Sequence, residues 1–89
     1  MRRVQIQIKG QVQGIFFRAN IKELADKLNI TGWVRNINNE VEALFEGEDD
    51  EIADILLFCT KGPKGARVKS INLNEEPFVG EFEEFSIID

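Results

Sequence analysis

The stretch of this 89-residue chain with the greatest chemical potential is Gly10 to Arg18, GQVQGIFFR. Gly10 and Gly14 allow a tight bend and a close backbone approach to a ligand, because glycine takes up left-handed conformations without strain. The spacing predicts a loop that feeds directly into a helix. The first N–H groups of a helix have no partner within it. Together with the positive end of the helix dipole they suit an anion, phosphate above all. Arg18, at the helix start, adds a planar fork that can grip two oxygens of one phosphate. The loop is not a Walker A motif, since no Gly-Lys-Ser/Thr occurs and the glycine spacing differs. Read from its residues alone, the segment binds an anion and leaves the reaction open.

Composition narrows that reaction. The chain has no His and a single Cys. A Ser-His-Asp triad, a His general base, a His-containing zinc site, an internal disulfide and a CxxC metal site are therefore all excluded. Carboxylates, amides, Lys, Arg and backbone remain. The formal charge is −5, from 11 basic and 16 acidic residues, but it is unevenly placed. Residues 1–39 hold seven basic and two acidic residues, a balance of +5, and residues 40–89 hold four and fourteen, a balance of −10. An acidic chain is a poor general nucleic-acid binder, yet its basic first part can hold an anion.

The elements that must position this loop follow from hydrophobic periodicity. Val4, Ile6 and Ile8 alternate with polar residues as in a half-buried strand. Ile21, Leu24, Ala25 and Leu28 lie on one face of a helix that should stop near Asn29, a residue suited to a left-handed cap. Trp33 to Ile37 and Val41 to Phe45 read as strands joined across Asn38-Asn39, where Asn accepts the positive φ of a hairpin turn. Ile52, Ile55, Leu56 and Cys59 repeat the helical spacing. The acidic run Glu48 to Glu51 precedes them and Gly62-Pro63 ends them. Arg67 to Leu73 and Phe82 to Ile88 are the remaining strands. The fold class is α+β: a ferredoxin-like βαββαβ sandwich, a mainly antiparallel sheet with two helices on one face and an extra C-terminal strand. No repeat or linker is visible, so residues 1–89 read as one domain.

At this point the chain resembles the acylphosphatase family, in the form of a small, stand-alone acylphosphatase. GQVQGIFFR is similar to that family's G-x-V-Q-G-V-x-F-R signature, with Ile15 in place of Val. Gly32-Trp33-Val34-Arg35-Asn36 looks like its G-W-V-R/K-N strand. Val41-Glu42 with Gly47 resembles the V-E…G that follows, and Gly62-Pro63-x-x-Ala66-x-Val68 its G-P-x-x-A-x-V block. One departure is visible: the segment from Asn36 to Glu42 is one residue shorter than the family's and lacks its Asp-Gly turn.

The resemblance implies hydrolysis of a carboxyl–phosphate anhydride to carboxylate and phosphate. It implies that Arg18 and the backbone amides of Gly14, Ile15, Phe16 and Phe17 bind the phosphoryl group. It implies that Asn36 positions the attacking water, with no metal and no cofactor. The chemistry is coherent without His. A carboxylate leaves with little acid assistance, and phosphoryl transfer needs chiefly positioning and positive charge. The partner expected is a small acyl phosphate, with no nucleic acid or membrane, and the chain is expected to be a monomer.

Other features read more plainly. Phe16, Phe17 and Trp33 are expected to be packing residues, Cys59 a buried inert thiol, and Glu48 to Glu51 a helix start rather than a calcium loop. Lys61, Lys64, Arg67 and Lys69 make a small basic cluster at a loop and strand end. A competing class is an acylphosphatase-like module that holds an anion without turning it over. RNA recognition lacks its aromatic strand motif, and a metal carrier lacks paired thiols where Gln11 to Gln13 stand. The start, MRRVQIQIKG, has no apolar run of a signal peptide, which points to the cytoplasm.

Overall fold

The structure is a computed structural model and describes residues 1–88. Its elements are β1 (Arg2–Gln11), α1 (Phe17–Lys27), β2 (Thr31–Ile37), β3 (Glu40–Gly47), α2 (Asp49–Lys61), β4 (Arg67–Glu76) and β5 (Phe85–Ile87). The strands form one sheet in the order β4-β1-β3-β2-β5. All neighbours run antiparallel except β2 and β5, which are parallel. This is the expected ferredoxin-like order with its additional strand.

Side-chain alternation assigns the two faces of the sheet. Val4, Ile6 and Ile8 of β1 stand opposite Phe45, Ala43 and Val41 of β3, and all six are fully buried. The buried faces of α1 (Phe17, Ile21, Ala25) and α2 (Ile52, Ile55, Cys59) join them in one core. The row formed by Ile8, Val41 and Asn36 runs across β1, β3 and β2, so Asn36 lies on the helix-facing side at the end of β2.

Three local devices set the ends of these elements. Helix α1 closes with Asn29 at φ 55, and Ile30 N–H bonds back to the Ala25 carbonyl at 2.9 Å, a Schellman closure. Asn38 and Asn39 both have positive φ (50 and 68) and form a two-residue hairpin turn of the kind that matches strand twist. Gly62 has φ 72 at the end of α2, and a Cβ there would meet the Phe17 ring at 2.8 Å. The close of α2 is thereby seated against the residue that opens α1.

Three boundaries differ from the periodicity reading. Gly10 belongs to β1 and not to the loop. It sits at a bulge opposite β4 with φ 133, and a Cβ there would lie 2.1 Å from the Arg67 carbonyl oxygen, so its glycine serves strand contact rather than ligand approach. Strand β4 continues past Leu73 to Glu76, while the acidic run is the helix start expected, with Glu48 the N-cap of α2 and Asp49, Asp50 and Glu51 its first turn. The final strand spans three residues instead of Phe82 to Ile88. The chain before it crosses the other face of the sheet, where the Glu46 carboxylate accepts the N–H groups of Val79 (3.0 Å) and Gly80 (3.1 Å). The Arg3 guanidinium lies 5.6 Å from the Phe82 ring centre on the same face.

Candidate active site

The loop from Val12 to Phe16 connects β1 to α1. Gly14 has φ 76 and Phe16 has φ 61, while Ile15 between them keeps negative φ. Such alternation turns successive N–H groups toward one side and forms a concave nest for an anion. The amides of Gly14, Ile15, Phe16 and Phe17 donate to no acceptor among the described residues. A left-handed Phe is strained by about 1–3 kcal/mol. Asn20 secures it: its backbone N–H (2.9 Å) and its Nδ2 (2.8 Å) both donate to the Phe16 carbonyl. Phe17, 2% exposed, anchors the other side of the turn and packs edge-on against Phe58 at 6.0 Å.

Arg18 follows in the first turn of α1 and is half-buried. Its electrostatic position is distinctive. The other six basic residues of the first 39, Arg2, Arg3, Lys9, Lys22, Lys27 and Arg35, each have a carboxylate oxygen within 4.0 Å. Arg18 forms no ion pair among the described residues and opens onto a cavity of about 290 Å³. That cavity is also lined by Gly14, Phe16, Asn36 and Ile87.

Asn36 reaches the cavity from β2. Its neighbour Arg35 points to the opposite face of the sheet, where Nε donates to Oε1 of Glu42 at 2.7 Å and one terminal nitrogen forms an ion pair with the same oxygen at 2.6 Å. Gln5 and Gln7 donate to the other oxygen of that carboxylate. This network clamps the strand end that presents Asn36. The Asn36 Oδ1 is buried and accepts no hydrogen bond from a described residue. A half-turn about the terminal side-chain torsion exchanges Oδ1 with Nδ2, so the amide can offer the cavity either a donor or an acceptor. The short turn does not disturb this placement, because Asn36 stays in register with Val41.

The cavity thus brings together Arg18, Gly14, Phe16, Phe17 and Asn36, with Ile15 in the same loop. Phe16 is corrected in one respect: at 80% exposure it lies outside the core and lines the cavity. Gln13, Asn20 and Ile87 were not foreseen. Gln13 Nε2 donates to the Glu40 carbonyl at 2.9 Å and so ties the loop to the β2–β3 hairpin. An Asn four residues after the loop's last residue was the available signal for Asn20, since short amides reach back to carbonyls one turn earlier. Ile87 depends on how β5 pairs with β2 and has no local signal.

Elsewhere, Cys59 is fully buried and burial pushes its thiol up to about 12, as expected of an inert core residue. Lys61, Lys64, Arg67 and Lys69 are exposed and outside the cavity lining. Among the described residues no three Cys, Asp or Glu side chains gather as a ligand set, and no helix is long and apolar enough to cross a membrane.

Fold and site together define a ferredoxin-like domain that offers an anion a backbone nest, a guanidinium unpaired among the described residues and a strand-end amide. Residues 4–87 match the family model described as acylphosphatase. The acylphosphatase of Syntrophus aciditrophicus is 43% identical over 89 residues, 99% of this chain and 93% of that one. The acylphosphatase of Aeropyrum pernix is 44% identical over 87 residues, 96% of this chain and 86% of that one. The crystal structure of acylphosphatase from Bacillus subtilis superposes with a TM-score of 0.94 at 30% identity, covering 100% of both chains. This chain belongs to the acylphosphatase family and is an enzyme of that type.

Proposed function

We propose that this chain hydrolyses acyl phosphates by a metal-independent route, with Arg18 and the amides of Gly14, Ile15, Phe16 and Phe17 holding the phosphoryl group. The observation that carries the reading is Arg18 itself, the one basic residue of the first 39 without a carboxylate partner among the described residues, set beside a nest of N–H groups that donate to none of them. Asn36 holds a water that attacks phosphorus. The P–O bond to the acyl group breaks, the electron pair leaves with the carboxylate, and the water's proton passes to a phosphate oxygen. The leaving carboxylate is weakly basic, so no general acid is required. The transition state is stabilised by donors already fixed in place, which spares reorganisation during the reaction. We further read residues 1–89 as one domain acting as a cytoplasmic monomer on a diffusible substrate.

The test is hydrolysis of benzoyl phosphate by the purified chain with a chelator present. Turnover indifferent to chelator is expected, and Arg18→Ala should lower kcat/KM by about 10²–10³. Absence of turnover, or equal turnover in the variant, removes the proposal.

A further inference from the structure

We propose that Phe16 and Ile87 form an acyl-group subsite in the cavity shared with Arg18 and Asn36, and that it takes uncharged, apolar acyl groups; this rests on the acylphosphatase reading above. Both side chains line that cavity, and both leave apolar surface in water, Phe16 at 80% and Ile87 at 42% exposure. Ile87 stands opposite Val34 in the β2–β5 pairing. Val34 and Asn36 share the helix-facing side of β2, so Ile87 is directed to the same side as the amide. The Ile88 N–H bonded to the Val34 carbonyl at 2.9 Å holds the strand end there.

Phe16 is kept in water against its own backbone preference. Its φ of 61 is unfavourable for an aromatic residue, and the two bonds from Asn20 to its carbonyl maintain it. The conformation leaves Phe17 to fill the core and Phe16 to stand at the rim. A ring held exposed in this way gains contact only from something that enters the cavity.

Charge points to the same class of acyl group. Among the described residues Arg18 is the only charged side chain lining the cavity, and the phosphoryl group occupies it. The basic cluster lies along the other flank of the loop: a Cβ on Gly65 would meet Ile15, and Arg67 pairs with Gln11 of β1. None of Lys61, Lys64, Arg67 or Lys69 reaches the cavity lining, so a second anion on the acyl group would find no partner there.

The experiment compares kcat/KM for acetyl, propionyl, butyryl and succinyl phosphate, each corrected for its spontaneous hydrolysis. The three aliphatic substrates have leaving groups of similar basicity, so differences report contact with the acyl chain. We expect kcat/KM to rise about two- to fourfold per added methylene, and succinyl phosphate to fall below butyryl phosphate. Phe16→Asn, which retains tolerance of positive φ, and Ile87→Ala should each lower the butyryl-to-acetyl ratio about two- to threefold. The ratio is internal to each protein and is unaffected by partial loss of folded material. Equal rates along the series, succinyl phosphate as the best substrate, or an unchanged ratio in both variants overturns the subsite while leaving the hydrolytic reading intact. Hydrolysis of none of the four removes both.

Discussion

Gln13 and Glu40 are joined by a hydrogen bond of 2.9 Å from the side-chain amide of the first to the main-chain carbonyl of the second. Gln13 belongs to the loop that carries the N–H nest. Glu40 opens β3, and the residue after it pairs with Asn36. The bond therefore links the two halves of the site. Both partners lie toward solvent, so a net value of about 1 kcal/mol is the most it adds to stability. Its effect falls on geometry.

Gln13→Ala should accordingly lower kcat for benzoyl phosphate by about tenfold, with inhibition by inorganic phosphate nearly unchanged. Introduced into Asn36→Ala, the same substitution should have little further effect, since Gln13 acts through the placement of Asn36. Gln13→Glu cannot donate to the carbonyl and should not restore the rate. Steady-state kinetics of the single and double variants check this. Phosphate inhibition that weakens in step with kcat would make Gln13 a direct phosphoryl contact.

The buried Oδ1 of Asn36, unpartnered among the described residues, predicts a trade between stability and activity. An unsatisfied buried acceptor costs about 1–3 kcal/mol. Asn36→Val replaces it with a β-branched residue beside Val41 in a core row. Thermal unfolding should rise by about 4–8 °C for each kcal/mol recovered. Benzoyl phosphate turnover should drop by about two orders of magnitude while phosphate still binds. A lower melting temperature would show that the oxygen is already satisfied in solution.

Glu46 predicts the acid limb of stability. It is 1% exposed: burial raises its pKa, but the N–H groups of Val79 and Gly80 and the Arg3 guanidinium outweigh burial and hold the carboxyl below its ordinary value. A carboxyl whose folded pKa is depressed adds stability above its unfolded pKa and loses it as pH falls through the folded one. Its contribution should be constant from neutrality down to about pH 5 and decline below pH 4.5. Glu46→Gln should be less stable at pH 7 by about 1–3 kcal/mol and show a flatter decline in acid, read by urea unfolding at several pH values.

Cys59 should resist alkylation. Its thiol is fully buried and raised to about 12, so almost no thiolate exists at pH 8. Iodoacetamide labelling, followed by mass, should be slow in the native protein and fast in urea. Rapid native labelling would mean that α2 opens locally.

What could be read from the residues is what local chemistry controls. The faces of both helices, the Asn29 closure and the Asn38-Asn39 turn each follow from a few neighbouring residues, and Arg18 follows from the loop before it. What escaped depends on distant partners. Gly10 looked like a loop glycine because its neighbour across the bulge, Arg67, is remote in sequence. Phe16 looked like core because its apolar character predicts burial, whereas the left-handed conformation that Asn20 holds leaves its ring outside. The last strand looked longer because its pairing with β2, which covers three residues, is a tertiary matter.

The strand order carries a consequence for size. Ile8 and Asn36 share a row with Val41 between them, so the strand leading to the loop and the strand bearing the amide are held two ladder spacings apart. At ~4.8 Å per spacing that is roughly 9.6 Å. The sheet acts as a fixed gauge for whatever lies between cradle and amide. The reach of the site is set by covalent geometry and hydrogen bonding in β3, a strand that contributes no side chain to the cavity lining.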